Sequence, residues 1–219
     1  MTQFSLDDKV VVVTGAETDT GAAVAAELAR RGAAVAVQYA TSFARAKQVV
    51  RDIEQAGGQA VAIKADLQDP AQTELLCKKA WGAFGDVDVV VTTEPDHPEP
   101  QPAADPATRL AETVRLRLTA ALGPMYAALP AMTLRGTGAL VHLGAPRREQ
   151  LQEGEAEAAR AVAAAAMREA MDRLAREAAP RGLTAHLLPA DPPGGAAHAV
   201  ALLLAAPATA APATAGTGA

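Results

Sequence analysis

The chain has 219 residues, a length that suits one domain with a sizeable core, and its net charge of −5 argues against a nucleic-acid phosphate footprint. Half of it (50%) is hydrophobic but only 3% aromatic, so the core is built from Val, Leu and a great deal of Ala. A lone Cys77 excludes a disulfide framework, the four His show no metal-ligand spacing, and no apolar run approaches the ~20 residues of a membrane span. With no basic, then apolar, cleavable leader at the start, the expectation is a soluble cytoplasmic protein without a bound metal.

Short apolar runs alternate with helical segments along the chain. Val10–Val13 reads as a buried strand, and Gly21–Arg31 as a helix with Ala22, Ala25, Leu28 and Ala29 on one side, ended by Gly32. Ala34–Tyr39 is a second strand, followed by a helix over Phe43–Ala56 that Gly57 and Gly58 close. A third strand spans Ala60–Ala65, a helix runs from Pro70 to Phe84, and Asp88–Val91 is a fourth strand. Between Glu94 and Pro106 five prolines and four acids predict an extended, solvated loop, of the length found over a cleft or at an interface. A long helix follows, Ala107 to Leu134, with Gly123-Pro124 as its expected bend. Ala139–Leu143 is a fifth strand, Glu149 to Glu157 an acidic linker, and Ala156–Ala178 an Ala-rich helix whose buried stripe is Ala163, Met167, Ala170, Met171 and Leu174. Leu183–Leu188 makes a sixth strand and Ala196–Ala205 a last helix; the segment 207–219 is a low-complexity tail after one domain over 1–206. Strands spaced by helices in this rhythm predict βαβ units: an α/β fold with a doubly wound parallel sheet of about six strands.

These pieces, in order, resemble the short-chain dehydrogenase/reductase family over nearly the whole chain. The resemblance is carried by the Val11–Gly15 run, Leu28 to Ala33, Ala65-Asp66-Leu67 and Gly85 to Val91. Ala128-Leu129-Pro130, Gly138 to Val141 and Leu174 to Glu177 extend it. It implies a Rossmann-like fold with a glycine-rich phosphate turn over Thr14 to Gly21, in which Gly15 and Gly21 are kept and Asp19 stands where the middle glycine would be. A carboxylate there opposes phosphate by up to about 4 kcal/mol; it also suits a helix cap, so that Asp19 fills the anion site itself. Tyr39 stands where an acid would grip the ribose of NAD. Thr41 and Ser42 suit a 2′-phosphate, with Glu17 opposing it, and Asp66 and Leu67 match the family's adenine-contacting pair. The expected cofactor-binding set is therefore Gly15, Gly21, Thr41, Ser42, Asp66 and Leu67, for weak NADP or none. Asp66 has a second reading, as the helix-capping turn after the third strand, and Thr92-Thr93-Glu94-Pro95 replaces the family's Asn-Asn-Ala-Gly floor.

The family's proton chemistry rests on a Tyr, a Lys, a Ser and an Asn. By its spacing these positions fall at Arg160, Ala164, Ala145 and Arg117. Composition points the same way independently of spacing. The chain has no Asn, its only Ser are Ser5 and Ser42, its only Tyr are Tyr39 and Tyr126, and no Lys follows Lys79. No catalytic residue is therefore assigned. His142 and His186 are placed near the same emptied region, chiefly as packing or hydrogen-bonded residues; the arginines at 109, 115, 117, 147, 148 and 160 line it, paired with acids or, less favourably, holding an anion. Asp86 and Asp88 flank a strand, with a carboxylate pair as the weaker alternative. Only Pro189 to Gly195 separates the sixth strand from the next helix, leaving no substrate lid. The expectation is a non-catalytic subunit that pairs with and supports an active homologue, or forms a homodimer, through helices 107–134 and 156–178. The alternative is an NADP-dependent oxidoreductase or NADP sensor with a non-standard site using Arg117, His142 or Arg160.

Overall fold

The computed structural model describes residues 6–93, 105–144, 155–188 and 200. Among the described residues six parallel strands alternate with five helices, with Val200 helical beyond them. They are β1 (Val10–Val13), α1 (Asp19–Arg30), β2 (Ala34–Tyr39), α2 (Phe43–Gln55), β3 (Gln59–Lys64), α3 (Pro70–Phe84), β4 (Val87–Thr93), α4 (Pro106–Arg135), β5 (Gly138–Leu143), α5 (Glu155–Ala178) and β6 (Leu183–Leu188). A 3-10 turn over Ala179–Arg181 leads into β6. The strand order is β3-β2-β1-β4-β5-β6. The order reverses between β1 and β4, and in open parallel sheets that switch point opens a crevice at the C-terminal strand ends.

Pleating divides the core in two. Val11, Val13, Val35, Val37, Val89, Val91 and Val141 meet α1 and α2 on one face. Val10, Val12, Val90 and Leu140 meet Leu76 of α3, Met125 and Met132 of α4 and Met167, Met171 and Leu174 of α5 on the other. The stripe expected on α5 is thus its buried side; Ala170 alone of the five is only partly buried. Small side chains let helix and sheet approach closely, which suits a core with so few aromatics.

Strand and helix bounds follow the sequence reading to within two residues; at β4 the strand runs on through Thr92 and Thr93. The α4 helix is continuous through Pro124 and Pro130. Asp105 caps it through the amides of Ala107 and Thr108, and Gly136, in the left-handed region, closes it. None of the described helices is long and apolar enough to cross a membrane. The Pro-rich loop before residue 105, the acidic linker up to residue 154, the short connection after β6, all of the last helix but Val200 and the C-terminal tail lie outside the described residues.

Candidate nucleotide crevice

The turn after β1 is built by its backbone. Gly15 adopts φ 63°, where a side chain is strained. A Cβ on Gly21 would stand 2.3 Å from the Gly15 carbonyl oxygen, so the second glycine is fixed by close approach of α1 to the turn. Thr14 completes the anchor: its amide donates to the Val91 carbonyl at 2.9 Å, and the Thr93 hydroxyl donates to the Thr14 carbonyl at 2.8 Å. Thr93 therefore ties β4 to the glycine turn, while the Thr92 hydroxyl meets His142 instead.

A side chain that the sequence reading passed over organises this edge. Gln38, 2% exposed, accepts from the Gly15 amide at 2.8 Å and donates to the Ala65 carbonyl at 2.8 Å. It joins the C-terminal ends of β1, β2 and β3. The signal was in the sequence: one amide side chain in an otherwise apolar strand must find partners when buried.

The cap of α1 differs from expectation. Thr18, not Asp19, is the capping residue: it is extended at φ −87°, ψ 160°, its hydroxyl accepts from the Gly21 amide at 3.1 Å, and it donates to the Gly15 carbonyl at 2.8 Å. The physical reason is positional. A capping side chain folds back from the extended residue before the helix, whereas Asp19 is already inside the first turn. Its carboxylate, 87% exposed, turns outward and pairs with Arg45 of α2.

Glu17 fills the next position. Its carboxylate accepts from the amides of Ser42 at 2.7 Å, Thr41 at 3.2 Å and Ala40 at 3.3 Å, and from the Thr41 hydroxyl at 3.3 Å. The Ser42 hydroxyl caps α2 through the Arg45 amide. Thr41 and Ser42 thus stand at the crevice as the sequence places them, but their amides are directed at an acid of the same chain. These residues, as arranged, do not fit a 2′-phosphate: its would-be donors already hold a negative charge.

The remaining sequence-predicted positions are simply located. The Asp66 carboxylate accepts from the Gln68 amide at 2.9 Å in a local turn, Asp69 caps α3, and Leu67 is buried against the α3–α5 face. His142 is 1% exposed, and its Nδ1 lies 2.9 Å from the Thr92 hydroxyl. His186 pairs in register with Val141 while His142 pairs with Leu187. Alternation then puts the two histidines on opposite faces of the sheet, so the expectation that they share one region is corrected. Burial holds the His186 imidazole below its ordinary range. Arg117 is half-buried on α4, Arg160 is exposed on α5, and the Arg115 guanidinium reaches the Gln68 side chain at 3.5 Å. Ala145, Arg147 and Arg148 lie outside the described residues.

Asp86 and Asp88 sit at the N-terminal end of β4, across the sheet from the crevice. Asp88 accepts from the Val10 amide at 3.0 Å where the β1–β4 register slips, and Asp86 pairs with Arg135 at 3.2 Å. Neither carboxylate faces the crevice, so the carboxylate-pair alternative has no geometric support. Among the described residues no three His, Cys, Asp or Glu side chains cluster as metal ligands. A separate cleft of about 490 Å³ lies between α3 and α4, lined by Cys77, Trp81, Tyr126, Pro130 and Arg135 among others. Burial pushes the Cys77 thiol up to about 11.

A doubly wound sheet with this strand order and a glycine turn at its switch point defines a Rossmann-type nucleotide-binding fold. Within that class the chain belongs to the short chain dehydrogenase family, whose model matches residues 9–190. It is similar to a Sinorhizobium meliloti dehydrogenase/reductase (28% identity, TM-score 0.78, 92% of this chain and 90% of that one). It is also similar to a Burkholderia cenocepacia short chain dehydrogenase in complex with NADP (27% identity, TM-score 0.75, 92% of each chain). Among curated proteins it resembles an uncharacterized oxidoreductase of Methylorubrum extorquens, 49% identical over 86 residues, or 39% of this chain and 35% of that protein. A probable tetrahydroxynaphthalene reductase of Zymoseptoria tritici is 46% identical over 85 residues, 39% of this chain and 32% of that one. The matched stretch therefore spans about a third of the length of these curated relatives.

Proposed function

We propose that this chain is a cytoplasmic, non-catalytic member of its family that pairs with a catalytically complete homologue and supports it. The observation that carries this reading is compositional. Only two Ser and two Tyr are present, no Asn, and no Lys beyond Lys79, so the second half of the chain holds none of the family's proton-transfer set except Tyr126. Tyr126 sits on α4 with Ala127, Pro130 and Trp81 around the α3–α4 cleft rather than at the crevice. Without a phenol and an ammonium to tune it, proton transfer to a carbonyl has no agent at that site. The pairing surface is proposed on α4 and α5. Leu110, Tyr126 and Leu134 of α4 and Val162 of α5 are large, apolar and exposed, and are candidates for contact with a partner.

Co-expression with complete short-chain dehydrogenases of the same genome, followed by size-exclusion chromatography, tests this. A stable complex with raised activity or stability of the partner is expected; no complex with any of them would sink the reading. The second reading, an NADP-dependent oxidoreductase or sensor, is favoured by the NADP bound in the similar Burkholderia cenocepacia structure. Calorimetry separates the two: micromolar binding of NADPH favours the second, none at millimolar concentration the first.

A further inference from the structure

The glycine turn and the β2–α2 turn face each other across the crevice edge, and two acids of the first occupy what the second would offer an anion. Glu17 takes the amides of Ala40, Thr41 and Ser42 together with the Thr41 hydroxyl. Asp19, two residues on, takes the guanidinium of Arg45, the cation in the first turn of α2. Hydrogen-bond donors and positive charge are the two things a phosphate needs, and each is matched by one carboxylate. The match spans more than 20 positions of sequence, with separations of 23 to 26 between partners, so it is a property of the fold rather than of a local turn.

We propose that Glu17 and Asp19 form an internal clasp that stands in for a phosphate and excludes 2′-phosphorylated adenosine nucleotides from this crevice. Glu17 is the specificity-determining residue and Asp19 its electrostatic support. This rests on the crevice being the family's nucleotide site. The physical case is an exchange of anions. A 2′-phosphate can reach the three amides only by displacing a carboxylate that is covalently tethered beside them and therefore always at high local concentration. If both anions stay, like charges within a few ångströms weaken binding by at least tenfold or so even at a solvent-facing site. A nucleotide with an unmodified 2′-hydroxyl escapes this penalty, because a hydroxyl donates to a carboxylate instead of competing with it.

The experiment compares NADPH and NADH by calorimetry on the full chain and on Glu17→Gln, Asp19→Asn and the double variant. Thermal melting confirms that each variant is folded; Asp19→Asn, at a side chain 87% exposed, preserves the fold even if Glu17→Gln weakens it. The native chain is expected to bind NADPH no better than NADH. Each substitution should raise NADPH affinity, by roughly tenfold or more in the double variant, and leave NADH within about twofold. A native chain that binds NADPH in the micromolar range overturns the clasp and favours the NADP-binding reading of the protein. Folded variants in which the NADPH-to-NADH ratio does not move overturn the clasp alone, because complex formation with a homologue is read separately.

Discussion

Gln38 holds the ends of three strands with one amide group, accepting from Gly15 and donating to the Ala65 carbonyl inside the protein. Its replacement by Leu keeps the volume but leaves a buried amide and a buried carbonyl unmatched. Gln38→Leu is expected to lower unfolding free energy by about 2–4 kcal/mol, measured by urea titration. A loss below ~1 kcal/mol would show that water or a neighbour satisfies both groups. Cys77 gives a second residue-level test. With burial raising its thiol to about 11, Cys77 stays protonated at neutral pH and is a poor nucleophile. Its modification by a disulfide reagent should be slow at pH 7–8 and accelerate towards the raised value; rapid neutral labelling would contradict the burial. The place of the glycine turn is legible in the sequence. What Asp19 and Glu17 bond to is not, because their partners Arg45 and Ser42 lie 25 or more positions away.

Helix α1 carries its own electrostatics. Glu27 accepts from Nε and Nη2 of Arg30, each at 2.8 Å, and from Nε of Arg31 at 2.8 Å. The Arg30 hydrogen bonds, opposed by burial and helped by Arg31, hold the Glu27 carboxyl down at about 2, against an ordinary 4.5. A carboxyl lowered on folding contributes stability above its unfolded value, and that contribution is lost as pH falls from 4.5 towards 2. Glu27→Gln should therefore cost about 1–2 kcal/mol at pH 7, a gap that narrows as acid denaturation proceeds through that window. A pH-independent gap would assign the cost to packing instead. Helix α4 is continuous through Pro130, which is exposed and cannot donate to the carbonyl of Tyr126 one turn back. Restoring that donor by Pro130→Ala should raise stability by about 1 kcal/mol or more, seen as a higher melting temperature. Periodicity made the helices legible, including the buried stripe of α5. It could not show whether Gly123-Pro124 interrupts α4, since that depends on whether neighbouring elements hold the helix together.

The molecule as a whole keeps the sheet and the long helices of its family while the crevice is crossed by its own acids. Val162→Asp and Leu110→Asp change exposed apolar positions on α5 and α4. Each should abolish the complex with a homologue in size exclusion while leaving the melting temperature of the isolated chain within a few degrees. Retention of the complex in both variants would move the partner surface elsewhere. The α3–α4 cleft contains Trp81, the only tryptophan of the chain, so its fluorescence reports on anything that covers this side.

By itself the sequence determined the strand–helix rhythm, the six-stranded parallel sheet and a composition with no Asn, two Ser, two Tyr and no Lys after Lys79. These follow from local periodicity and from composition, which need no knowledge of distant contacts. Only the tertiary structure decided that Thr18 rather than Asp19 caps α1 and that the two histidines lie on opposite faces. It alone showed that Glu17 closes the β2–α2 turn. Each of those outcomes depends on which segments the fold brings within hydrogen-bond range, and a charge matched across more than 20 residues leaves no local signature in the chain.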